Sequence, residues 1–530
     1  MWHKDTTQTT FLWYDYETWG ANPQKDRLAQ FAAVRTDMDL NPIAEPINLL
    51  CRPAIDTVID PDSVRITGLS PILLAEQGLL EWDFAQQIHQ HMSVAGTCSV
   101  GYNSIRFDDE CTRYLFYRNL LDPYAREWKN GNSRWDLLDV VRMTKALRPE
   151  GIEWPTHDDG SPSFKLEQLT AANGLSHDNA HDAVSDVLAT IALAKLIKEK
   201  QPKLFDYAFK LRSKHEVRKH IDVENRTPHL HFSGKIPAVE HCLGVEVPLM
   251  MHPDRNNEAI VIDIREDPTW LLDHDANTLR QWLYSKTEDL PEGARRPPLK
   301  TIHLNRSPMI APMALLDADT AQRLNLDRKV LQQHQQFVEQ QPVLRELALD
   351  VFTDIHERAT PEDPEHALYA GFIDDHDRNI LNRMVANKIK KDRWLDEAHA
   401  LHDDRLPPLI ENVLARNFPE IMTNEQLSAW KQQRKAVLSN TNSGQSLTVQ
   451  QALLKIDELI KETPTDALYD TRKYLNSLLE RWFEETSDTS SSTNTENHLP
   501  DSGSDSPPET NTDRKAETDE KDLTNQLDLF

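Results

Sequence analysis

Cysteine is scarce in this chain and never clustered: Cys51, Cys98, Cys111 and Cys242 are the only four in 530 residues, and no two form a C-x-x-C pair. That scatter excludes a disulfide framework and a thiolate zinc site, leaving the four as small buried hydrophobes. Long apolar runs are also missing. No window approaches the roughly 18 apolar residues of a membrane-spanning helix, and the opening MWHKDTTQTT lacks the charged-then-apolar pattern of a secretory leader. With a mean hydropathy of −0.62, the sequence predicts a soluble, cytoplasmic protein. Positive charge is in deficit, 59 Lys and Arg against 86 Asp and Glu for a net charge of −27. Such a balance excludes a protein that coats nucleic acid through a net basic face, but not an enzyme that acts on it.

What is present begins with FLWYDYETWG, Phe11 to Gly20. Its aromatics predict one strand, since bulky flat side chains suit a pleated surface. Residues two apart on a strand share a face, so Asp15 and Glu17 stand about 6–7 Å apart with like charges. Burial of such a pair raises both pKa values unless a cation is shared between them. Trp13 and Tyr14 fit the core rather than a base-stacking platform.

Length predicts two to four domains. From residue 10 to about 200, strands alternate with helices: QFAAVRTDMD and TCSVGYN read as strands, DDECTRYLFYRNLL as a helix, RWDLLDVVRMTKAL as mixed, and DAVSDVLATIALAKLIKEK as a long helix. The alternation predicts an α/β layer fold with a central mixed sheet, bounded near Gln201-Pro202. Residues 202–352 carry the β-like runs HLHFSG, GVEVPLMMHP, EAIVIDI and LKTIHLN around the helical TWLLDHDANTLRQWLYSK, which predicts a small β-rich domain. Residues 355–484 read as helical, and residues 485–530 as a disordered acidic tail too poor in apolar residues to offset its ordering entropy. From Thr486 onward the tail holds eleven acids against Arg514, Lys515 and Lys521. Two basic clusters, Lys210 to His220 and Asn382 to Arg393, suit either a phosphate-backbone channel or solvated helix faces.

Further acids extend the pattern. GYNSIRFDDE supplies Asp108 at a strand-to-helix transition, with Asn103 and Phe107 as its buttress, and NAHDAVSDVLAT supplies His181 and Asp186 at the entry of the long helix. Asp15, Glu17, Asp108 and Asp186 together offer oxygen ligands for two hard divalent cations, Mg2+ first and Mn2+ second. Paired ions of that kind assist in-line phosphoryl displacement, and a histidine at His181 can accept a proton from the attacking water near neutral pH.

In this order, D-x-E in YDYETWG, N-x4-D in YNSIRFDD and H-x4-D in HDAVSD resemble the three motifs of the DEDDh 3′-to-5′ exonucleases. QFAAVRTD, RITGLSP, NSRWDLLDVVR, ALRPEGIEWP and SFKLEQLTAANGLSHDNAHDA are similar to the bacterial exonuclease I family, strongly over residues 10 to 225 and more weakly to about 485, where LFDYAF and ARNFPE continue the match. The resemblance implies a ribonuclease-H-like exonuclease domain, an SH3-like domain and a helical domain that close a groove over the strand. It implies Asp15, Glu17, Asp108 and Asp186 as metal-binding acids and His181 as the catalytic histidine. Thr18, Thr67 and Gly68 fall where related enzymes approach the terminal nucleotide. The implied reaction is magnesium-dependent hydrolysis of single-stranded DNA from its 3′ end to 5′-mononucleotides, in DNA repair and recombination. A chain that closes its own groove predicts a monomer.

Two protein partners are implied as well. Arg148 and Tyr207 match family residues that bind the acidic, Phe-ended tail of single-stranded-DNA-binding protein, although APMALLDADT departs from the commoner pattern there. The terminal Gln526-Leu527-Asp528-Leu529-Phe530 resembles the peptide that docks on the polymerase sliding clamp, with Leu529 and Phe530 as anchors on a tether spanning about 35 Å as a flexible coil. The rival readings are a DEDDh exoribonuclease or proofreading subunit, which are usually shorter, and a binding adaptor with a vestigial site.

Overall fold

The computed structural model describes residues 9–176, 183–353, 360–439 and 446–483. Its first sheet holds β1 (Thr10–Thr18), β2 (Leu28–Thr36), β3 (Ile47–Leu50), β4 (Thr97–Gly101) and β5 (Ser133–Asp136), in the order β3-β2-β1-β4-β5. The first three strands form an antiparallel meander, whereas β4 runs parallel to β1 and β5 parallel to β4. The carboxyl ends of β1, β4 and β5 therefore meet at one edge of the sheet, where connecting loops are free to carry function.

Around this sheet lie α1 (Pro61–Thr67), α2 (Asp108–Arg118), α3 (Leu137–Leu147), α4 (Ala183–Lys200) and α5 (Pro202–Lys210). The pleat of β1 divides its side chains. Phe11 and Trp13 pack with Ala183, Val187 and Ile191 of α4 on one side, while Leu12, Tyr14 and Tyr16 pack with Cys111, Leu115 and Phe116 of α2 on the other. Asp15 and Glu17 continue the α4-facing register.

A second sheet of β6 (His229–Phe232), β7 (Leu243–Met251), β8 (Glu258–Asp263), β9 (Leu299–His303) and β10 (Met309–Pro312) is antiparallel throughout, in the order β10-β6-β7-β8-β9. Its apolar face is continuous with the core under β1: Trp135 and Phe205 belong to the same cluster as Leu230, Val245 and Ile260. The rest of the chain is helical and includes α6 (Asp375–Val385), α7 (Leu406–Asn417), α8 (Val449–Glu462) and α9 (Asp466–Phe483). Trp394, Leu409 and Leu475 from this region share a core with Trp19, Ile59, Val64 and Trp82.

A buried ion cluster ties these helices to the first domain. Arg416 donates to both oxygens of Asp56 at 2.9 and 2.7 Å and also to Glu365. Arg27 reaches Glu365 at 2.9 Å, and Arg434 reaches Asp56 and Asp363, both at 2.9 Å.

The mixed stretch RWDLLDVVRMTKAL resolves into β5 followed at once by α3. Asp136 makes the change: it ends the strand, and its carboxylate caps the helix by accepting from the Leu138 amide at 3.0 Å. Gln201 is a one-residue break between α4 and α5, where proline occupies the first helical turn and its missing N–H is no loss. Phe205 and Phe209 of α5 then pack edge-on against Trp135, with centroids 5.3 and 5.2 Å away. Two strands lie outside the sequence expectation. β3 is a short, partly exposed edge, and β10 ends in a proline that a ladder accepts only at its margin.

Candidate active site

Asp15 and Glu17 arrive at the carboxyl end of β1, and Asp186 in the first turn of α4, the helix packed over the same face. One ligand atom from each of these three residues lies within 4.8 Å of the others. Asp108 enters differently. It opens α2, which covers the opposite face, so it stands outside that triad while the Asp15 charge still acts on it. His181 lies outside the described residues, five positions before Asp186 in the chain.

The electrostatics separate neighbouring acids. The half-buried Asp15 is pushed up to about 8, by burial first and the Asp186 charge second. Burial and then the Asp15 charge raise Asp108 well above the usual carboxylate range. The adjacent Asp109 behaves oppositely. Burial alone would raise it, but the charges of Arg126 and Arg134 outweigh burial and hold it well below that range. Arg134 donates to it at 2.9 Å, Arg126 donates to the same carboxylate, and the Tyr14 hydroxyl donates at 2.7 Å. Asp109 is thus a neutralised anchor for the first turn of α2, beside an acid left without such relief. An all-oxygen triad whose members repel one another suits a hard divalent cation.

The loop from β4 to Asp108 is fastened by Asp136. Its two oxygens accept from the Asn103 and Ile105 amides, both at 3.0 Å, in addition to capping α3. Asn103 itself sits at φ 67°, a left-handed conformation asparagine tolerates. Burial first and the Asp139 charge second push Asp136 up to about 6. Phe107 immediately precedes α2 and packs on the core beneath β1.

The remaining candidates have contacts of their own. The Thr18 hydroxyl donates to the Gly20 carbonyl at 2.6 Å. Thr67 ends α1 and Gly68 caps it at φ 68°, where α1 packs on α8 and α9. Arg148 caps the end of α3 and donates to the Leu147 carbonyl at 2.6 Å. The Tyr207 hydroxyl on α5 donates to the Ile310 carbonyl at 3.0 Å and lies 3.3 Å from His220 Nε2. Gln526, Leu527, Leu529 and Phe530 lie outside the described residues.

The fold adds residues that the sequence did not single out. Phe372 is 88% exposed, and Tyr369 and Trp128 also present much of their rings to solvent. The Tyr369 hydroxyl donates to Glu110, two residues after Asp108, and the ring of Phe372 lies 6.3 Å from that of Tyr124. Tyr117, Leu121, Pro123, Tyr124, Phe372 and Ile373 line an open apolar hollow beside these rings. Composition cannot reveal them, because the same residue types also fill cores.

Known proteins agree with this geometry. Residues 12–194 match the Exonuclease family, residues 212–354 the Exonuclease I SH3-like domain and residues 362–486 the Exonuclease I C-terminal domain. Exodeoxyribonuclease I of Haemophilus influenzae is 44% identical over 434 residues, covering 82% of this chain and 91% of that protein; the Escherichia coli protein is 43% identical over 433 residues, covering 82% and 90%. Among solved structures, exonuclease I of Methylocaldum szegediense superimposes with a TM-score of 0.83 at 42% identity, covering 89% of this chain and 100% of that one. E. coli exonuclease I in complex with a dA16 oligonucleotide gives 0.83 at 39% identity, covering 89% and 99%. With its three consecutive domains matched and its α/β exonuclease sheet in place, this chain belongs to the exonuclease I family.

Proposed function

We propose that this protein is a 3′-to-5′ exonuclease that hydrolyses single-stranded DNA to 5′-mononucleotides. The observation that carries the reading is the convergence of Asp15, Glu17 and Asp186 at the open edge of the sheet, in a chain of this family. The oligonucleotide bound to the E. coli relative supports single-stranded DNA as the substrate.

Asp15, Glu17 and Asp186 would hold divalent metal, with Asp108 completing the set for a second ion; Mg2+ is the proposed ion and Mn2+ the alternative. Such ions, when bound, supply charge neutralisation at the scissile phosphate and at both the attacking and leaving oxygens. The chain supplies the rest. His181 accepts the proton of the attacking water and passes it on, a role suited to an imidazole near neutral pH. Asp136 fixes the loop before Asp108, and Asp109 with its arginines fixes the helix after it. Exposed rings at Phe372, Tyr369 and Trp128 offer stacking faces that accept any base, as sequence-independent binding requires. Thr18, Thr67 and Gly68 are proposed at the terminal nucleotide.

No described helix is long and apolar enough to cross a membrane, and we assign the protein to the cytoplasm, in DNA repair and recombination, acting as a monomer. Two partners complete the proposal: the acidic tail of single-stranded-DNA-binding protein at Arg148 and Tyr207, and the sliding clamp at the terminal Gln526 to Phe530. The test of the activity is digestion of 5′-labelled single-stranded DNA with Mg2+ or EDTA, beside Asp186→Ala. A ladder shortening from the 3′ end, absent in EDTA and in the variant, supports the reading; an inert wild type in both Mg2+ and Mn2+ sinks it.

A further inference from the structure

Tyr14 and Tyr16 flank Asp15 on β1, yet the pleat sends them to the opposite face of the sheet, into the core shared with Leu12, Phe31, Leu115 and Phe116. They are 2% and 5% exposed. Packing alone would be served by phenylalanine, and Phe31 fills the adjoining space with its ring centroid 6.2 Å from Tyr14 and 5.1 Å from Tyr16. A tyrosine buried so deeply needs a partner for its hydroxyl. Both find theirs in the first two turns of α2. The Tyr14 hydroxyl donates to Asp109 at 2.7 Å. Thr112, itself buried, stands 3.0 Å from the Tyr16 hydroxyl and donates to the Asp108 carbonyl at 2.8 Å.

These contacts cross the sheet where the site is divided. Asp15 and Glu17 meet Asp186 on the α4 side, whereas Asp108 comes from α2 on the other. The Tyr14–Asp109 bond ties the residue before Asp15 to the residue after Asp108. The Tyr16–Thr112 contact ties the residue between Asp15 and Glu17 to the carbonyl of Asp108 itself. Asp109 is in turn pinned by Arg126 and by Arg134 at 2.9 Å, so the far end of the first bond is fixed. Magnesium demands near-ideal octahedral geometry, with ligands at roughly 2.0–2.1 Å, and leaves little tolerance for a ligand that drifts.

We propose that Tyr14 and Tyr16 are positioning residues for the second metal ion: their hydroxyls fix Asp108 relative to Asp15 and Glu17, and so set the affinity for the ion that Asp108 helps to hold. The inference rests on the exonuclease reading of the site, in which Asp108 completes the ligand set. The run Tyr-Asp-Tyr-Glu then has one purpose on two faces. Its acids hold metal on one side, and its hydroxyls hold the partner acid on the other. Loss of such an outer support weakens metal binding without removing a ligand.

The test removes each hydroxyl without emptying the core: Tyr14→Phe, Tyr16→Phe and the double variant, beside Tyr474→Phe in the helical region, which deletes a hydroxyl donated to the Thr57 carbonyl at 2.9 Å. Electron paramagnetic resonance of free Mn2+ counts the ions bound by the full chain, and digestion of 5′-labelled single-stranded DNA gives kcat and KM as Mg2+ is varied. The double variant should keep the tighter Mn2+ and bind the second roughly tenfold or more weakly, with the Mg2+ midpoint for kcat displaced by a similar factor and kcat restored at high Mg2+. Each single variant should shift less, in the same direction. KM for DNA should not change, and Tyr474→Phe should match wild type in every metal readout. Unaltered Mn2+ affinities and Mg2+ midpoint in the variants overturn the proposal, whatever happens to the melting temperature in EDTA, because a merely structural role moves only the latter. Equal weakening of both ions overturns it as well. A wild type that digests DNA yet binds a single Mn2+ refutes the second ion and this inference with it, whereas a wild type inert in both metals refutes the exonuclease reading on which it stands.

Discussion

Replacing Asp15 by asparagine should stabilise the metal-free protein in alkaline solution while abolishing hydrolysis. Its carboxyl is pushed from 3.8 to about 8 by burial and by Asp186, so ionising it fully against that opposition would cost about 5–6 kcal/mol. The side chain keeps part of its contact with water and shares the proton with its neighbours, so a cost of about 2 kcal/mol is the reasonable share for Asp15 itself. A native-state pKa above the unfolded one means that the folded protein binds the extra proton between those two values. Stability from this group is therefore complete below about pH 4 and is lost as pH rises to about 8. Asparagine mimics the neutral acid at every pH. In EDTA the variant and wild type should melt together at about pH 4 and diverge as pH rises, with the variant about 4–8 °C higher by pH 8 for a domain of this size. Saturating Mg2+ should erase the difference by raising the wild type only. Differential scanning fluorimetry over this pH range, with and without Mg2+, gives the answer. A gap that is absent at pH 8, or that shrinks as pH rises, refutes the electrostatic reading of the triad.

Arg416→Ala leaves Asp56 and Glu365 buried with one guanidinium fewer, and should cost about 3–5 kcal/mol in urea unfolding; a loss below about 1 kcal/mol would refute the cluster as the tie between the first domain and the helices. Phe372→Ala should weaken single-stranded DNA binding in EDTA by about 1–3 kcal/mol if the ring stacks on a base, with the melting temperature unchanged because the side chain is 88% exposed; unaltered affinity in fluorescence anisotropy would remove it from the strand path. A labelled peptide ending in TNQLDLF should bind sliding clamp saturably and lose that binding when Leu529 and Phe530 are both alanine; no saturation, or no difference, would discard the docking proposal.

The sequence made parts of this structure legible for identifiable reasons. β1 could be read because aromatic and acidic residues alternate along a strand covered on both sides, and the alternation predicts which residues share a face. The acids of the triad could be read because each follows a recognisable element at a fixed spacing. β3 and β5 could not be read in the same way, being four residues each, too short for a period of two to stand out. Ser133 to Asp136 also runs without a loop into the helical pattern of α3. Asp136 was hidden for a further reason. Its work is done on backbone amides of another loop, a partnership that leaves no side-chain motif.

Long-range electrostatics were the least legible part. Asp56 and Arg416 are separated by 360 positions, and nothing in either local sequence distinguishes them from solvated surface charges. Once folded, both are buried, and the three arginines Arg27, Arg416 and Arg434 neutralise acids in the interior rather than facing solvent. Arg126 and Arg134 do the same for Asp109 beside the active site. Net charge is consequently a poor guide to what this chain can bind. A backbone phosphate is governed by the charges within about a Debye length of its path, roughly 8–10 Å in ordinary salt. The decisive charges are those the fold leaves at the edge of the first sheet. There Asp15, Glu17 and Asp186 bring carboxylate oxygens within 4.8 Å of one another, burial and the Asp186 charge hold Asp15 well above the usual carboxylate range, and such an all-oxygen set suits a hard divalent cation.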